Sequence, residues 1–274
     1  MSEGATDNFG FFPPTRLDPA AAHTGFRVGA SGTHTSRTIM FSELSAAFAA
    51  LPVTAQRAHY AHAIIDENCL QKPTAASRKI TNQRLGELYT LDLAVPMFRV
   101  LRRLWEIDRA DHPLLALLIA LARDQFLRVT AAVVVHLSPG TELPRDRMRS
   151  ALFLAAGDRL KEAVIDKIMR NTASSWTQSG HLVGRTFKVR RLVRPTSPAV
   201  ALAVYLAYKS GFRGPEIFTS GWTRVLDGDV TAVRTLALEA KRLGLIDLRM
   251  AGDIVEINVD RLESPLARVA YGSR

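Results

Sequence analysis

Residues 111–137 read DHPLLALLIALARDQFLRVTAAVVVHL, the most apolar stretch of the chain. A helix wound through this run carries apolar side chains on nearly every side, so it has to be buried all round. A membrane span is the competing reading. Arg123, Asp124 and Arg128 stand near the middle of the run, where charge is expensive in hydrocarbon. The stretch is therefore expected to be the central helix of a soluble bundle. Asp111 can cap its start, and Pro113 sits in the first turn, where a missing amide N–H costs nothing.

Helical spacing continues on both sides of this run. Leu44, Ala47, Phe48 and Leu51 recur every three or four residues in a helix over 42–50, stopped by Pro52. Thr54 is expected to cap a second helix reaching Asn68. Thr74 is expected to cap a third, with Ile80, Leu85 and Leu88 on its inner face. Residues 93–107 form a fourth, grouping Phe98, Leu101, Leu104 and Trp105. Residues 1–36, rich in Gly, Pro, Ser, Thr and Ala, read as a flexible arm with a short extended piece at Phe26-Arg27-Val28.

After residue 137 the Ser-Pro-Gly at 138–140 and Pro144 mark a loop. It is the expected joint between a helical bundle domain (37–138) and a second, basic domain (145–262). Helices are expected over 145–156 and 158–179, the second with Leu160, Val164, Ile168 and Trp176 inward. Others follow from Pro195 to Ser210, near 215–226, and from a Thr231 cap to Arg242. The tail, 263–274, is expected to fray. Two segments share one plan: a helix ends at Gly180 or Gly244, an apolar pair follows (Leu182-Val183, Leu245-Ile246), then a β-hairpin. That is the outline of a winged helix, with the glycine freeing the backbone to leave the helix. The expected fold is mainly α: an N-terminal helical bundle followed by an α+β, winged-helix-like C-terminal region with short β-hairpins.

Charge points to the partner. Lys and Arg outnumber Asp and Glu by 36 to 26, an excess that favours a polyanion. It is concentrated: between Asp166 and Glu216 there is no acidic residue. Alternation across 187–190 would place Phe187 and Val189 on one face of a ribbon and Lys188 and Arg190 on the other, reaching toward phosphates. The expected nucleic-acid site is Arg170, Asn171, Ser175, Gln178, Arg185, Lys188, Arg190, Arg191 and Arg194, with duplex DNA as the ligand. Arg78, Lys79, Arg84, Arg102 and Arg103 offer a second basic face.

Catalysis is not expected. The chain has no phosphate-cradling glycine loop, no HExxH and no GxSxG. His59, His62 and Asp66 have helical spacing that permits a metal, but nothing nearby closes the site. Asp158, Glu162 and Asp166 sit beside Arg159, Lys161 and Lys167, as in ordinary helix pairing. Neither a metal nor another cofactor is expected. Cys69 is the single cysteine, which rules out an internal disulfide. With no secretory leader in the first thirty residues, the expected setting is the cytoplasm, away from membranes.

The segment 64–74, Ile-Ile-Asp-Glu-Asn-Cys-Leu-Gln-Lys-Pro-Thr, with Arg78-Lys79-Ile80 and Arg84, Leu85 and Leu88, resembles the N-terminal signature of BrxA, a component of BREX bacteriophage-exclusion systems. Gly180-His-Leu, Pro195-Thr196, Gly211, Trp222 and the hairpin after Gly244 follow in a similar order, so the resemblance covers about 36–259. It implies a helical N-terminal part, a winged-helix-like C-terminal part and DNA binding. It further implies a role in phage defence beside other proteins of such a system, and it carries over no catalytic residue. An adaptor that assembles larger proteins, and an RNA-binding or transcription-related protein, are the alternatives.

Overall fold

A computed structural model of the chain describes residues 12, 19–27, 29, 32–252 and 254–264. Its centre is two buried helices. The first, His112–Arg123, has every residue from Leu114 to Ala122 buried. The second, Ser197–Lys209, is buried from Ser197 to Ala207. The sequence points to the first as central. The second is as fully enclosed because its alanines let neighbouring helices approach closely.

In chain order the helices are α1 (Pro19–Thr24), α2 (Phe41–Ala50), α3 (Arg57–Ile65), α4 (Ala75–Tyr89), α5 (Pro96–Trp105) and α6 (His112–Arg123). Then come α7 (Gln125–Val129), α8 (Ala131–Val135), α9 (Arg145–Ala156) and α10 (Glu162–Gln178). A hairpin of β1 (Leu182–Val183) and β2 (Val189–Arg190) leads to α11 (Ser197–Lys209), α12 (Gly221–Arg224) and α13 (Val230–Arg242). Strands β3 (Asp247–Ala251) and β4 (Ile254–Asn258) precede α14 (Asp260–Glu263). The protein is mainly helical, with two small antiparallel sheets in its C-terminal half.

The long apolar run is three helices, not one. Asp124 leaves the helical conformation, and its carboxylate accepts the Leu127 N–H at 3.1 Å to cap α7. Short-range capping has overridden the apolar continuity of the sequence. Elsewhere Gln56 and His59, rather than Thr54, form the capping box of α3, and Asp229 rather than Thr231 caps α13. Thr74 caps α4 as expected, and Leu85 and Leu88 of that helix are buried, whereas Ile80 is exposed. No helix among the described residues is long and apolar enough to cross a membrane.

The loop at 138–144 does not separate two cores. Leu143 N–H donates to Lys188 O (2.7 Å), Gly140 N–H to Arg190 O and Arg190 N–H to Thr141 O (both 2.9 Å). The loop thus pairs with β2, and one contiguous core runs from Phe12 to Leu262. The described parts of the expected N-terminal arm are also docked. Phe12 and Phe26 set their rings edge-on to Trp222, at 4.8 and 5.8 Å between centroids, and Arg123 donates to Gly25 O. Phe26-Arg27-Val28, read as a short extended piece, is described only at its first two residues. At the other end Leu262 of α14 is buried against the core. Glu263 accepts the Tyr205 hydroxyl at 2.7 Å and pairs with Lys209 at 2.9 Å. The chain is thus fixed as far as Glu263, where fraying was expected to begin, and residues 265–274 lie outside the described set.

The C-terminal hairpin pairs Asp247 with Asn258 and Ala251 with Ile254. Leu248 and Val255 turn inward beneath it. It follows α13 directly, and α13 packs on α11.

Candidate nucleic-acid interface

Helix α10 presents Ile165, Ile168, Met169, Ala173 and Trp176 to the core. Its polar side chains, expected to meet phosphates or bases, instead hold the segment that leads into α2. Asn171 Nδ2 donates to His34 O (2.8 Å). Ser175 Oγ accepts the Ile39 N–H (3.0 Å) and donates to Asn171 O (2.9 Å). Gln178 accepts the Phe41 N–H (3.1 Å) and donates to Thr38 Oγ1 (2.9 Å). All three are removed from the candidate site, because the hydrogen bonds they make hold the 34–41 segment rather than face a ligand. The sequence could not show this, since their partners lie about 140 residues away.

Ser175 belongs to a polar cluster that has the order of a hydrolytic triad. His34 Nε2 is 2.8 Å from Ser175 Oγ, and His34 Nδ1 is 2.9 Å from Asp124 Oδ2. The second contact lacks hydrogen-bond alignment. All three side chains are buried, and the serine hydroxyl is already engaged by backbone. A nucleophile must reach its substrate; this cluster is a staple for the N-terminal segment. Burial would raise the Asp124 pKa, but the His34 charge and hydrogen bonds from His34 and Leu127 outweigh it and hold the carboxyl below its usual range.

The β1–β2 hairpin does not turn Lys188 and Arg190 outward as expected: both Lys188 and Val189 are half-buried. Phe187 is 70% exposed, whereas Arg190 is 2% exposed. Arg190 is buried against Asp227, whose other oxygen accepts the Val193 N–H at 2.9 Å. Arg190 is therefore corrected from a phosphate contact to an internal ion pair, and its counter-charge comes from the loop after α12. Lys188 points the same way, donating to Thr177 Oγ1 at 2.8 Å. It has no carboxylate partner among the described residues, and partial burial pulls its pKa down.

What survives is a cleft. Arg170 from α10 and Arg185 and Lys188 from the hairpin line a hollow of about 340 Å³, together with Arg145 at the start of α9. Leu143, Met169 and Ala173 form its apolar part, Ser174 and Thr186 add hydroxyls, and Glu142 is the single carboxylate among its described lining residues. None of the four cations is in an ion pair with another described residue. Gly184 shapes the turn: its φ is +106°, and a Cβ there would lie 2.0 Å from Phe187 O, a place for glycine alone. Arg191 and Arg194 are exposed on the chain leaving the hairpin.

Arg145 was missed by the sequence reading, yet it left a signal. It opens α9 in the run Arg-Asp-Arg-Met-Arg, and Pro144 gives that end no side-chain cap. Cations at a helix N-terminus oppose the helix dipole, so a basic start invites a reason outside the helix.

The second basic face does not assemble. Arg84 pairs with Glu87 at 2.7 Å. Arg102 is buried, with its guanidinium 4.2 Å from the Phe48 ring centre and 3.4 Å from Glu106. Arg103 donates to the Arg261 and Ser264 carbonyls, and Arg78 to Asp66 O. Lys79 is exposed. Among the described residues no group of three or more His, Cys, Asp or Glu side chains could hold a metal. His59 serves the α3 cap and His62 faces Asp66 at 3.0 Å. Burial pushes the Cys69 thiol pKa up, away from nucleophilic character. No protein-family model matches the chain, and no curated protein is found to be similar to it.

Proposed function

We propose that this protein binds nucleic acid without catalysing a reaction, through the cationic cleft between α9, α10 and the β1–β2 hairpin. One observation carries the reading: among the described residues, four cations from three elements converge on one hollow against a single carboxylate. Holding like charges together costs energy unless a polyanion relieves it. Arg191 and Arg194 extend the surface and suit a phosphate backbone. In the C-terminal part, α11, α12 and α13 followed by the β3–β4 hairpin have the order of a winged helix, in keeping with duplex DNA as the ligand. The resemblance to BrxA in residues 36–259 suggests an accessory role in phage defence.

Fluorescence anisotropy with labelled duplex DNA, and with unlabelled duplex, single strand and RNA as competitors, tests this reading. Binding that Arg170→Glu and Arg185→Glu weaken supports it; wild-type protein that binds none of the three refutes it. The adaptor reading has one observation in its favour, the exposed Phe153 and Leu154 side by side on α9.

A further inference from the structure

We infer that the cleft holds one unstacked nucleotide, phosphate at the rim and base on the floor, so that the protein engages a strand end or a single-stranded segment there. This deepens the nucleic-acid reading and rests on it.

Size and lining both point this way. At about 340 Å³ the hollow is near the lower end of the range, roughly 300–1,000 Å³, in which small ligands are held. A duplex presents its phosphates on a convex surface and would meet only the rim. Phosphate contacts alone also need no apolar lining. Here Leu143, Met169 and Ala173 line the hollow while Arg145, Arg170, Arg185 and Lys188 carry its charge. An apolar floor under a cationic rim suits a nucleotide out of its stack, whose base needs a dry surface and whose phosphate needs donors. Lys188 adds to this. Its ammonium is half-buried, and its partners among the described residues are neutral oxygens, those of Thr177 and Gly184, so no described carboxylate answers its charge. The α9 N-terminus, with no side-chain cap, begins at the same place, since Arg145 is both its first residue and part of the cleft wall. Exposed Phe187 follows Thr186 of the wall and offers a ring on which a neighbouring base can stack.

The test uses the full chain, a 5′-phosphorylated single-stranded oligonucleotide, the same oligonucleotide with a 5′-hydroxyl, and a closed dumbbell duplex without ends. A nucleoside 5′-monophosphate and inorganic phosphate serve as competitors. The inference expects the monophosphate to displace the single strand while leaving the dumbbell in place, and to do so better than inorganic phosphate. It expects Ser174→Trp, which fills the cleft from a half-exposed position, to weaken single-strand binding at least tenfold and dumbbell binding less than threefold. Ala173→Leu is a second filling variant should Ser174→Trp fail to fold, and the competition assay needs no variant. A stronger hold on the 5′-phosphorylated strand assigns the cleft to an end; equal affinities assign it to an internal nucleotide. If the dumbbell binds but the monophosphate does not compete and filling the cleft changes nothing, the inference falls and the nucleic-acid reading stands. If the monophosphate binds but no oligonucleotide does, the cleft is a nucleotide site and the nucleic-acid reading falls. Binding of neither removes both.

Discussion

Arg190 on β2 and Asp227 beyond α12 form an ion pair inside the protein, their side chains 0% and 2% exposed. The pair ties the first hairpin to the C-terminal helices, because Asp227 also receives the Val193 N–H. Removing one member of a buried pair leaves the other charge stranded and costs about 3–5 kcal/mol.

Arg190→Glu should therefore lower the unfolding free energy by roughly that amount, since it buries two carboxylates together. Urea denaturation followed by circular dichroism measures it. An unchanged midpoint would show that Arg190 faces solvent. The variant is unsuitable for mapping the ligand surface, because it would lose binding by losing the fold.

His181 sets an acid limit on stability. Burial, together with the nearby Arg190 charge, depresses its pKa to about 4 despite Asp227 and the Val225 carbonyl. Its Nε2 faces Val225 O at 2.7 Å and its Nδ1 faces the Ser179 hydroxyl at 2.9 Å, which suits the neutral ring with the proton on Nε2. The unfolded chain takes up this proton near pH 6.5 and the folded one only near 4. Stability from this residue is thus complete above about 6.5 and declines as pH falls toward 4, by on the order of 3 kcal/mol. Unfolding free energies between pH 4 and 7 should show that slope, and His181→Gln should flatten it. A wild-type profile flat over this range would contradict the buried neutral ring.

Ser175→Ala should cost about 1–3 kcal/mol, because the Ile39 N–H and His34 Nε2 are left buried without partners. The same unfolding assay reads it. No loss of stability would mean that the N-terminal segment is not held through α10.

Gly184→Ala should distort the β1–β2 turn, since its new methyl would overlap Phe187 O. The expected result is weaker ligand binding with the α6 and α11 core intact, seen as near-native helical circular dichroism. Wild-type affinity in this variant would detach the hairpin from the site.

The helices were legible because their signals are local. Thr74 before Ala75, Pro113 in the first turn of α6, and Leu44, Ala47 and Phe48 on one stripe each act within a turn or two. The two hairpins were legible from their glycine breaks. What failed depended on distant partners. The acid-free run from 167 to 215 looked uncompensated, yet Asp227 reaches Arg190 and Glu263 reaches Lys209. The polar face of α10 looked open because nothing local shows that 33–41 lies across it. The joint at 138–144 was misread for the same reason: Ser, Pro and Gly mark a loop, but not whether it pairs with β2.

The most direct test of the account is the salt dependence of duplex DNA binding, in wild type and in the double variant Arg170→Glu, Arg185→Glu. With four or five phosphates neutralised, log K should fall against log salt with a slope of about −4 in the wild type. Losing two contacts should bring it to about −2, with the unfolding midpoint unchanged because both residues are exposed. A wild-type protein that does not bind, or a double variant with the wild-type slope and affinity, would contradict the cleft as the nucleic-acid site.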